Sequence, residues 1–119
     1  MSNLAKHVFL AFLRSPVSSS FHVEGLRMAA GILTGKDDHR ITIAYIGKGA
    51  RCAVKGVDRS YSTKFIELLP DQAGKKFFVE KESLKEEGLD SKEVADDFAI
   101  VPRSHLGRMI FQADLTLSL

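Results

Sequence analysis

The sequence predicts an α/β protein: a three-layer α/β/α domain around a mainly parallel five-stranded sheet. Two observations carry the prediction. Short runs of consecutive apolar residues alternate with stretches of helical period along the whole chain, and neither internal repeats nor low-complexity linkers interrupt the alternation. The runs are apolar at successive positions instead of every second one, so each strand must be buried on both faces, as in parallel sheets covered by right-handed crossovers. With 119 residues, 45% of them hydrophobic and 27% charged, the chain reads as one domain, 1–119, large enough to bury a core.

The first strand is His7 to Leu13. Arg14-Ser15-Pro16 breaks it, and the serines at 18 to 20 offer an N-cap to a helix in which Val23, Leu26, Ala30 and Leu33 recur at helical spacing, with Gly25 and Ala29 forming a second, small-residue face. Thr34-Gly35 and Lys36-Asp37-Asp38-His39 lead to the second strand, Ile41 to Ile46. The turn Gly47-Lys48-Gly49-Ala50-Arg51 then opens a short helix that runs to about Lys55 and stops at Gly56. A further helical stretch places Tyr61, Phe65 and Leu68 on one face before Pro70. Phe77 to Val79 is the third strand, and Leu84 lies on a short acidic helix ended by Gly88. Phe98 to Val101 is the fourth strand, Leu106, Met109 and Ile110 mark a helix, and Leu115 to Leu119 is the last strand.

Charge and cysteine content narrow the function classes. The net charge is only +2, but Glu80 to Asp97 carries −5, so the remainder carries +7. The uneven division could steer a charged partner, although a solvated surface explains it as well. Basic residues are dispersed without interleaved aromatics, so direct nucleic-acid binding is not expected. A lone cysteine, Cys52, excludes an internal disulfide framework and points to a reducing, cytoplasmic compartment. The run Val8 to Leu13 is far shorter than the roughly 20 apolar residues of a membrane span, so no membrane association is expected.

Cys52 is the outstanding candidate for chemistry. Read as the first turn of a helix, its surroundings supply unpaired N–H groups and the positive end of a macrodipole, and Lys48, Arg51 and Lys55 add positive charge, all of which favour a thiolate. The same residue, between Ala50 and Ala53, also suits close packing of helix on sheet, which is the expected role. His22 or His105 would have to approach it in space to form a nucleophile pair. No two of the four histidines stand at metal-ligand spacing, so no metal is expected. The Gly47-Lys48-Gly49 turn fits a dinucleotide site poorly: Cys52 stands where the third glycine belongs, and no acidic residue ends a strand about 20 residues on. A phosphate-binding loop is absent, and no cofactor is expected.

In parallel sheets a ligand sits in the crevice beyond the carboxyl ends of the strands. Four loops would line it here: Arg14 to Ser20, Gly47 to Cys52, Glu80 to Ser83 and Pro102 to His105. Ser15, Ser18, Lys48, Gly49, Arg51, Glu80 and Arg103 are its candidate contacts. The carboxylates of the acidic helix read as solvated, without paired acid–base roles.

The segments Val8-Phe9-Leu10-Ala11-Phe12, Glu24 to Gly31, Ile41 to Gly49 and Ser83 to Leu89 together resemble the DsrE/DsrF-like family, closest in flavour to its DsrF and TusC type. Lys48 replaces an acidic residue in the turn after the second strand of that type. The resemblance covers nearly the whole chain and implies a flavodoxin-like, DsrE-like domain that forms homo- or hetero-oligomers with other sulfur-relay proteins. It also implies that active members carry a persulfide on a cysteine just after the third strand. That place falls near Val79, Glu80 or Lys81, with Glu80 its expected occupant, and none of the three is cysteine. The resulting expectation is a binding or scaffolding subunit of intracellular sulfur relay. The alternatives are a sulfurtransferase using Cys52 and a small-anion or nucleotide sensor using the Gly47 to Cys52 turn.

Overall fold

The sheet grows outward in both directions from the first strand. β1 (His7–Phe12) pairs with β2 (Arg40–Tyr45) on one side and with β5 (Leu115–Ser118) on the other. Beyond β2 lie β3 (Phe77–Glu80) and β4 (Phe98–Val101), giving the order β4-β3-β2-β1-β5 with every pairing parallel. The architecture is that of a computed structural model that describes residues 5–15, 21–35, 38–58, 63–71 and 74–119.

Alternate residues of each strand feed two unequal cores. Val8, Leu10 and Phe12 of β1, with Ile41, Ile43 and Tyr45 of β2, join a large cluster. It is closed by Leu26 and Ala29 of α1 (Phe21–Leu33), Phe65 and Ile66 of α2 (Thr63–Glu67) and Leu84 of α3 (Lys81–Glu86). Phe9, Ala11 and Ala44 point the other way, against Leu106 and Met109 of α4 (Arg103–Gln112). The three expected layers are present: among the described residues, α1, α2 and α3 cover one face and α4 the other. The small-residue face of α1 has a clear purpose: a Cβ on Gly25 would lie 2.5 Å from the Phe12 ring and 2.6 Å from Leu119, so only glycine lets α1 sit this close to the sheet.

The expected strands are all found, with ends displaced by about a residue. Two local expectations are corrected. Gly47 to Ala53 forms a 3-10 helix instead of an α-helix, and the chain then leaves through an antiparallel bridge from Val54 to Val94. In the next helix Leu69 (3% exposed), not Leu68 (55%), turns inward. The cause is the early end of α2 at Glu67: the following amides bond three residues back, Leu68 to Phe65 and Leu69 to Ile66, and this tighter winding rotates the side chains. Ser18 to Ser20, Lys36, Asp37 and Tyr61 lie outside the described residues.

The order of strands creates a topological switch between β3 and β4. β3 continues into α3 on the large-core face, whereas β4 continues into α4 on the opposite face. The two segments part at the carboxyl ends of adjacent strands, the place where such sheets form their ligand crevice.

Candidate functional site

Glu80 is the last residue of β3 and stands at this switch point. It is 2% exposed, an unusual place for a carboxylate, and its partners account for it. Ser83 Oγ, one helical turn on, donates to Glu80 Oε1 at 2.6 Å, and Arg103 Nη2, from the start of α4, reaches the same oxygen at 2.9 Å. Arg103 Nη2 also lies 2.7 Å from Glu86 Oε1, and the Arg103 backbone N–H donates to Glu82 Oε1 at 2.9 Å. From the loop after β2, the Gly47 N–H donates to Ser83 Oγ at 2.7 Å. Three loops from three adjacent strands are thus joined through one serine and one carboxylate.

Burial pushes the Glu80 carboxyl upward, but the hydrogen bonds from Arg103 and Ser83 and the charge of Arg103 outweigh it, so Glu80 is held below the usual carboxylate range. The same contacts to Glu80 and Glu86 hold the Arg103 guanidinium above its ordinary value. At neutral pH the cluster is an ion pair with a second carboxylate at its rim. Arg103, expected to receive an anion, is already occupied by carboxylates of its own chain. The acidic helix, expected to be solvated, contributes Glu82, Glu86 and Glu87 to ion pairs and hydrogen bonds with Arg103 and Arg51.

The other candidates divide. Ser15 is half-buried just past β1, and Lys48 is exposed. Arg51 turns to Glu87, with Nε 2.8 Å from Oε1. Gly49 is buried, and a Cβ there would come within 1.9 Å of the Phe12 carbonyl oxygen, so this glycine serves the packing of the turn on β1. Its N–H donates to Ile46 O, and that of Gly47 is taken by Ser83, which leaves neither amide to cradle a phosphate.

Cys52 is sealed in the large core at 1% exposure, with Sγ 3.8 Å from the Arg14 carbonyl oxygen. It is the sixth residue of the seven-residue 3-10 helix, near the carboxyl end, so the expected help from a helix amino terminus is absent. His105 lies beside Phe78 on the α4 face, with ring centroids 6.2 Å apart and across the sheet from Cys52, and His22 Nε2 lies 2.7 Å from the Tyr45 hydroxyl. Among the described residues no three His, Cys, Asp or Glu side chains gather to hold a metal ion, and no helix is long and apolar enough to cross a membrane.

Sequence reasoning placed Glu80 in the crevice but missed Ser83 as its donor. The signal was available: a carboxylate ending an apolar strand, with a serine three residues on at the start of a helix, puts the hydroxyl one turn away on the same side.

No family model matches the chain, and no curated protein matches it in sequence. Solved structures do. The ychN protein of E. coli superposes with a TM-score of 0.75 over 98% of this chain and 100% of its own, at 17% identity. MTH1491 of Methanobacterium thermoautotrophicum, a protein of unknown function, superposes with a TM-score of 0.66 over 97% of this chain and 99% of its own, at 15% identity. At such identities the likeness is one of fold, flavodoxin-like and DsrE-like.

Proposed function

We propose that this protein is a cytoplasmic binding or scaffolding subunit in intracellular sulfur relay, related to the DsrE/DsrF-like proteins and without the carrier cysteine of their active members. The observation that carries the reading is the occupant of the end of β3. Where the resemblance locates a persulfide carrier, this chain has Glu80, buried and tied to Ser83 and Arg103. A carboxylate held as an ion pair cannot carry sulfane sulfur. The only thiol, Cys52, is enclosed by apolar neighbours and lacks the exposure that thiol exchange requires. The subunit therefore offers a partner a surface instead of a nucleophile, and the crevice edge formed by Lys48, Arg51, Glu86 and Arg103 is the charged rim that a partner would meet.

Native mass spectrometry of the purified chain, alone and mixed with a persulfide-loaded sulfur carrier of the same family, tests the reading. The expected result is a defined complex in which the carrier keeps its sulfur and this chain gains none. Failure to associate with the carrier would overturn the scaffold role, and a gain of one sulfur atom lost in Cys52→Ser would replace it with the sulfurtransferase alternative.

A further inference from the structure

At the opposite end of the sheet from the crevice, the amino ends of β1 and β2 open onto a cavity of about 480 Å³, within the size range of small-ligand sites. Its polar floor is the pair His7 and Thr42, with Nε2 2.8 Å from Oγ1 and Thr42 itself buried. Arg40, the first residue of β2, stands beside them, and Leu33, Ile41 and Met109 provide apolar wall. We propose that this cavity binds a small carboxylic acid with an apolar tail, its carboxylate bridging the Arg40 guanidinium and Nδ1 of His7, and its tail lying along Met109 on the α4 side.

The donors are uncommitted where the carboxylates are not. Among the described residues, neither the Arg40 guanidinium nor His7 Nδ1 has a hydrogen-bond or ion-pair partner. Of the two nearby carboxylates, Asp71 lies 3.0 Å from Lys76 Nζ, and Asp114 Oδ2 accepts the His7 backbone N–H at 2.8 Å, not a ring N–H. His39, at the rim, accepts the Lys6 backbone N–H at Nδ1. An incoming carboxylate therefore meets one fixed positive charge and one ring nitrogen able to donate, a pairing that charge-assisted hydrogen bonds favour.

Binding should be linked to protonation. Burial and the charge of Arg40 hold His7 below its ordinary value, with Asp114 opposing them. A bound anion cancels the effect of Arg40 and so raises the affinity of His7 for a proton. In the imidazolium form Nε2–H donates to Thr42 and Nδ1–H to the ligand. The groups that face His7 are Arg40 and Thr42 from β2, His39 before it and Asp114 before β5, with Asp71 across the cavity.

The test is an NMR titration of the full chain with acetate, butanoate and hexanoate at constant ionic strength. Saturable shifts at His7, Arg40 and Thr42 are expected, with affinity rising up to about fourfold per methylene that enters the apolar wall. Arg40→Gln, an exposed substitution that leaves the fold intact, should weaken hexanoate binding by about tenfold or more. Affinity should rise as pH falls through and below the ordinary imidazole range, and His7→Gln should abolish that rise. Absence of saturable shifts, equal binding of hexanol, or an unchanged affinity in Arg40→Gln would overturn the proposal.

Discussion

Two glycines separate packing from propensity at the scale of single residues. Gly49→Ala sets a methyl group against the Phe12 carbonyl, backbone against backbone, and should cost about 3 kcal/mol, the upper range of overpacking. Gly31→Ala, inside α1 where a Cβ meets nothing, should instead stabilise by about 0.5–1 kcal/mol. Urea denaturation of both variants checks the pair. Glu80→Gln keeps the shape of the side chain but removes its charge. It should cost about 1–2 kcal/mol, because Ser83 still has an acceptor and the partner arginine is largely exposed. Its pH dependence has a definite sign. Glu80 titrates lower in the folded chain than in the unfolded one, so its contribution is complete above the ordinary carboxylate range and disappears as pH falls through the folded value. Stability measured from neutral pH downward should therefore fall less steeply in Glu80→Gln than in the parent. Cys52 should resist alkylation by a small reagent in native buffer and react once unfolded, because its sulfur is enclosed.

The two faces of the sheet make different demands on its helices. Among the described residues α1, α2 and α3 share the large core, but α4 is the helix on the second core, and its buried side chain is Leu106. Leu106→Ala should thus cost about 2–5 kcal/mol, and hydrogen exchange should show α4 losing protection before the central strands. Phe111, 90% exposed on the same helix, contributes nothing to that core. At this scale the sequence was easily read where one residue type had one environment. The continuous apolar runs of β1 and β2 can only be buried on both sides, so their positions were plain, and Gly25 and Ala29 announced a close helix. Leu68 and Leu69 were not separable, since either satisfies the pattern and only the early end of α2 decides between them. The mistaken electrostatics of Cys52 had the same origin: the start of a 3-10 helix and that of an α-helix share their first residues, but the helix is nearly over when it reaches position 52. Arg103 and Glu80 are 23 residues apart, and no local pattern reveals that β3 and β4 bring them together.

For the molecule as a whole, the separation of charge between Glu80 to Asp97 and the rest is smaller in effect than in count. Arg51 and Arg103 reach into the acidic segment and pair with Glu87, Glu86 and Glu80. The rim still presents charge, with Lys48 exposed and the Arg51 and Arg103 ion pairs partly solvated, so the proposed complex with a sulfur carrier should weaken as salt rises over the range in which the Debye length shrinks from about 10 Å to about 3 Å. Native mass spectrometry or light scattering across that range would measure it. The chain of contacts from Gly47 through Ser83 and Glu80 to Arg103 has one more consequence. It fastens three strand ends to one another like the stones of an arch around a keystone, so this rim has little freedom left to lose. A protein landing on it would be met by a finished surface, and the entropy that association usually takes from mobile loops would already have been surrendered when the chain folded.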